Sequence, residues 1–150
     1  MAGLVLTSPS FEDGGAIPTI HTCDGQDMSP ALFWDGGPEG AQSYALIVDD
    51  PDARGFIHWV VFNIRGGTSG GLREGLHPDA DPLQGRNDFG RTGYGGPCPP
   101  SGIHRYRFTL YALSTTLAFG VTPTEPDMAR AMAGKILAQA TLTGLYVRQR

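Results

Sequence analysis

Two apolar runs, Ser43–Asp49 and Ile57–Ile64, and a third strong strand, Arg105–Leu113, set the terms on which this chain can fold. Each is rich in β-branched and aromatic side chains, and runs of that kind suit buried strands. Between and around them stand 22 glycines and 12 prolines, a density that suits a sheet-rich protein with ordered loops. Leu4–Thr7, Ile17–Thr22 and Ala31–Trp34 read as further short strands, and Thr141–Val147 as the last one. One helix is clear. Thr124 is a cap, Pro126 stands in the first turn and Asp127 lies three residues past the cap. Ala129, Met132, Ala133, Ile136, Leu137 and Ala140 then share one helical face, which carries the predicted helix to Ala140. Arg65 to Arg86, with six glycines and two prolines, reads as a long loop. The expected fold is mainly β, with one helix near the C-terminus, in a single domain spanning 1–150.

Charge narrows the function classes. A net charge of −4, a single lysine and no basic run argue against a nucleic-acid groove. No stretch resembles a signal peptide and no apolar run approaches the ~20 residues of a membrane helix, so a cytoplasmic protein is expected. Cys23 and Cys98 lack Cys-x-x-Cys spacing and read as reduced thiols, with a bridge left open because both lie in polar loops. No His-x-His or His-Glu-x-x-His pattern supports a metal, and no cofactor is expected. Gly67-Thr68-Ser69-Gly70-Gly71 matches the nucleophile elbow of serine hydrolases in form only, because the glycines and prolines that follow forbid the helix it needs.

The chemistry concentrates where a loop of glycines and prolines, Gly90 to Gly102, opens into the third strong strand. Glycines there can leave backbone N–H groups uncovered, and prolines hold the loop in one shape. Strand alternation sends His104 and Tyr106 to the same face. If Ser43–Asp49 and Ile57–Ile64 pair antiparallel, Asp50 ends one strand where His58 begins the next. Should the third strand start at that same end, Asp50, His58, His104 and Tyr106 surround one pocket, in which a carboxylate can fix an imidazole tautomer.

These residues resemble a known family. Tyr44 to Ala53 (Tyr-Ala-Leu-Ile-Val-Asp-Asp-Pro-Asp-Ala), His58 to Asn63, Asn87 to Pro100 and Gly102 to Leu113 are similar to the phosphatidylethanolamine-binding protein (PEBP) family. The likeness is strongest to its prokaryotic YbhB/YbcL-type Raf kinase inhibitor-like branch. It implies a β-sandwich of a large and a small sheet with a ligand pocket at one end. It also implies that Asp50, His58, Gly96, His104 and Tyr106 bind the ligand, with Asp52, Phe56 and Pro97 as rim or support. Arg54 departs from the proline usual after Asp-Pro-Asp-Ala. The expected function is binding of a small anion (phosphate, a phosphomonoester, a headgroup-like phosphate or a carboxylate) with a regulatory role. The alternative is a small acid–base isomerase, cyclase or esterase using the same four side chains. A homodimer and a protein partner of unknown identity belong to the regulatory reading.

Overall fold

The computed structural model describes residues 3–149, and the main expectation holds: two antiparallel sheets and one helix. The small sheet is built from β1 (Val5–Thr7), β2 (Leu32–Asp35) and β5 (Gly70–Leu72), in the order β1-β2-β5. The large sheet takes β3 (Ser43–Asp50), β4 (Phe56–Arg65), β6 (Leu83–Gln84), β7 (Ile103–Leu113) and β8 (Ile136–Val147), in the order β6-β4-β3-β7-β8.

Why Ser43–Asp49 and Ile57–Ile64 lack polar alternation is now visible. The large sheet is covered on both faces, as continuous apolar strands require. Leu46, Val48, Trp59, Val61, Phe108 and Leu110 meet Leu6, Leu32, Trp34 and Leu72 between the sheets. On the other face Ala45, Ile47, Val60, Phe62 and Leu113 pack under Met128 and Met132 of the helix α1 (Glu125–Met132). The formal Gly-x-Ser-x-Gly match falls at the start of β5. A Cβ on Gly70 would come within 2.9 Å of the Trp34 ring, so that glycine serves sheet packing.

Three expectations are corrected. The helix keeps its Thr124–Asp127 capping box but stops at Met132, and Gly134 turns the chain at φ +76°. Ile136 to Ala140 therefore belong to β8, which pairs with β7 along its whole length; Ala138 faces Ala112 and Ala140 faces Leu110. Ladder hydrogen bonds to an eleven-residue neighbour outweigh an amphipathic pattern made largely of alanine. Ile17–Thr22 is not a strand: Ala16 makes an isolated bridge to Leu145, and Thr19–His21 forms a 3₁₀ turn after Pro18. The Arg65 to Arg86 loop contains β5 and β6, strands too short to announce themselves.

Candidate functional site

Residues 50 and 58 come together through a hairpin with an irregularity in it. Asp50 faces Phe56 and Asp49 faces Ile57, but Val48 faces Trp59, which leaves His58 as the extra residue of a β-bulge. Without the bulge, His58 and Trp59 would point to opposite faces. With it, both reach the inner side, His58 against the Tyr106 ring and Trp59 into the inter-sheet core. The turn that follows Asp50 is tied by its own side chain, whose Oδ1 accepts the Asp52 N–H at 2.8 Å.

The carboxylate does orient an imidazole, but it is the one on β7. Asp50 Oδ2 lies 2.5 Å from His104 Nδ1, within a carboxylate that is 2% exposed. With Nδ1–H committed to Asp50, Nε2 is the nitrogen of His104 left for a ligand. His58, the expected partner across the hairpin, is held by the loop instead. Its Nδ1 donates to the Gly95 carbonyl at 2.7 Å, and the Gly95 N–H donates back to the His58 carbonyl at 3.0 Å. Burial pushes the His58 pKa down, against smaller opposing effects of the Gly95 carbonyl and the Asp50 charge. The ring is therefore neutral at pH 7, with its lone pair on Nε2.

Tyr106 completes the group from the next inward position of β7. Its ring meets His58 nearly edge-on at 5.2 Å and lies 6.4 Å from His104. The residue is 1% exposed, and its hydroxyl has no hydrogen-bond partner. Burial, then the Asp50 and Asp52 charges, raise the phenol pKa strongly, so the group stays an O–H donor. These side chains line a cavity of about 210 Å³. Ala53, Phe56, Phe89, Pro99 and Pro100 supply its apolar lining. Phe56 and Phe89 pack edge to face at 4.8 Å, and the Arg91 guanidinium lies over Phe89.

The supporting residues act through the backbone. Asp52 ties the turn to the start of β7, accepting the Arg105 N–H at 2.8 Å and the Arg105 guanidinium at 2.9 and 3.1 Å. Those bonds hold its carboxyl down to about 2. The Pro97 carbonyl accepts the Cys23 N–H.

Gly96 does not present the bare amide expected of it. Its N–H donates to Asp27 Oδ1 at 2.9 Å, and a Cβ there would meet that oxygen and the His21 carbonyl at 2.3 Å. Close packing, rather than a free donor, explains this glycine. The reduced-thiol reading is also corrected: Cys23 and Cys98 form a disulfide, and Cys98 lines the cavity. Sequence reasoning passed over Phe89, although an aromatic residue in a loop with no strand to belong to was a usable signal. Of the other histidines, His21 is a buried structural residue bonded to the Met28 carbonyl and Ser10 Oγ, and His77 is exposed. No group of three or more metal-ligating side chains is assembled among the described residues.

Two packed antiparallel sheets carry at one end a pocket with polar and apolar side chains in its lining, the arrangement of a ligand-binding fold. Comparison with known proteins makes this specific: the family model described as phosphatidylethanolamine-binding protein matches residues 7–147, and the chain belongs to that family. A UPF0098 protein of Methanothermobacter thermautotrophicus is 50% identical, with 95% of this chain and 98% of that one covered. LppC of Mycobacterium tuberculosis, named as a candidate lipoprotein, is 43% identical over 95% of this chain and 72% of its own length. Among solved structures, Escherichia coli YbcL superposes with a TM-score of 0.88 at 34% identity, covering 99% of this chain and all of that one. A candidate PEBP homologue of Chlamydia trachomatis, CT736, gives 0.90 at 37%, with the same coverage. No helix among the described residues is long and apolar enough to cross a membrane.

Proposed function

We propose that the Asp50–His58–His104–Tyr106 pocket binds a small oxyanion, phosphate or a phosphomonoester, with a carboxylate head as the next best fit. The observation that carries this reading is the Tyr106 hydroxyl, a buried donor without a protein acceptor. A ligand oxygen beside it gains a hydrogen bond that nothing in the protein supplies. His104 contributes a second donor when its ring carries both protons, one held by Asp50 and one on Nε2. Neutral His58 offers an acceptor, which suits an anion that keeps one acidic hydrogen, such as a phosphate P–OH. Gly96 takes no direct part while Asp27 holds its amide.

The test is calorimetric titration of inorganic phosphate and phosphoethanolamine into wild type, His58→Ala and His104→Ala, with native mass spectrometry for co-purified ligand. Binding lost in both variants supports the site. Wild-type protein that takes up neither compound removes the ligand class.

A second reading is favoured by the Asp50–His104 pair, which has the parts of a general acid–base dyad. It expects turnover of an enolisable or ester substrate, abolished by His104→Ala. A regulatory role belongs with the first reading, and in it ligand occupancy of the pocket beside Phe56 and Phe89 would be what a partner senses. The expected cytoplasmic residence is limited by the Cys23–Cys98 bond, which fits an oxidising compartment or a cytoplasm that retains disulfides. Thiol labelling of the protein in fractionated cells decides between a reducing compartment and these.

A further inference from the structure

Behind the anion pocket, across the same sheet, lies a second cavity of about 490 Å³ that the proposed function does not use. Strand parity creates it. Asp50, His58 and Tyr106 line one cavity while their neighbours Asp49, Ile57 and Arg107 line the other. Helix α1 walls it with Glu125, Ala129 and Met132, and β7 and β8 add hydroxyl and amide groups.

The charges in this cleft do not balance. Arg107 donates two hydrogen bonds to Asp49, at 3.1 and 2.6 Å, which satisfies that pair. Glu125 has no such neighbour, and its Oε2 is buried without a hydrogen-bond partner. An oxygen withdrawn from water without a donor is unfavourable, so the cleft suits a donor that arrives from outside. Tyr111 reports the same field: burial, then the Asp49 and Glu125 charges, raise its phenol pKa. Part of the wall is apolar, with Ile47, Ile57 and Met132. An anion is disfavoured by the unbalanced carboxylate, and a purely apolar ligand by the Thr109, Gln139 and Thr141 side chains.

We propose that this cleft is a binding site for a small organic monocation of the alkylammonium class. The ammonium group donates to Glu125 Oε2 and neighbouring oxygens, and the alkyl stem lies against Ile57 and Met132. The proposal is independent of the anion reading, because the two sites share no lining residue.

The experiment is an amide NMR titration of wild type and Glu125→Gln with n-butylammonium chloride at neutral pH, with n-butanol as the uncharged isostere. Butylammonium is expected to shift signals around Glu125, Tyr111 and Gln139, and butanol to bind about tenfold more weakly or worse, as loss of a charge-assisted hydrogen bond implies. Glu125→Gln should lower the butylammonium affinity by a similar factor. Equal responses to the two probes, shifts absent or located elsewhere, or a Glu125→Gln variant that binds butylammonium as tightly as wild type would each overturn the assignment. The last would mean that Glu125 does not receive the ammonium group.

Discussion

Removing one oxygen atom tests the anion pocket from two sides. Tyr106→Phe keeps the ring that packs against His58 and His104 and deletes only the hydroxyl. In the free protein that hydroxyl is buried and unpartnered. A buried polar group without a partner costs about 1–3 kcal/mol, so its loss should stabilise the free fold by about 1 kcal/mol at the low end. For a domain of this size that raises the melting temperature by about 2–4 °C. Phosphate binding should move the other way. A hydrogen bond to a charged group contributes about 1.5–3 kcal/mol, which corresponds to a loss of roughly 10- to 150-fold in affinity. Calorimetric unfolding and phosphate titration on the same preparations measure both. A variant that melts lower and binds phosphate as tightly as wild type would refute the reasoning, because the hydroxyl would then have a structural partner and no ligand.

Other outcomes follow from the charges and cross-links. The folded His58 pKa lies below 6.5, so the unfolded chain binds the extra proton first; stability should be complete above that pH and fall as pH drops below it. Urea unfolding against pH should show this slope, and His58→Asn should flatten it. Asp52 titrates in the folded protein at about 2 instead of 3.8, so its contribution is present above 3.8 and lost as pH falls through 2. Asp52→Asn should remove that part of the acid-unfolding curve, so that variant and wild type differ above pH 3.8 and converge as pH falls through 2. Replacing both cysteines by serine opens a cross-link between residues 75 apart, with an expected loss of about 4 kcal/mol from loop closure. A fall below about 1 kcal/mol in urea unfolding would mean the bond constrains little. Since Cys98 lines the cavity, phosphate affinity should fall in the same variant.

The strong strands were legible because their hydrophobic patterns had only one good solution. Ser43–Asp49 is a continuous apolar run because both faces of the sheet are covered there, whereas Arg105–Leu113 alternates Arg105, Arg107 and Thr109 with the buried Tyr106, Phe108 and Leu110. Ile136 to Ala140 went the other way: the local preference of alanine is for helix, and the β7 ladder overrode it. At the site, strand parity brought His104 and Tyr106 to one face, as the sequence predicts. Which imidazole Asp50 grips was not legible, since the bulge at His58 depends on how two strands slip past each other. The Gly96 amide was misread for a related reason. Its acceptor, Asp27, lies 69 residues away, and no local pattern points to it.

The sheet order carries a kinetic consequence. β3 sits between β4, its hairpin neighbour, and β7, whose His104 is 54 residues from Asp50. The hairpin can close early, but the large-loop closure that docks β7 is entropically slow, and the pocket has no floor until it happens. A ligand that binds there therefore recognises only chains that have crossed the rate-limiting step. Phosphate in a refolding experiment should leave the folding limb of the chevron unmoved and lower the unfolding limb. Occupancy would then act as a brake on escape from the native state.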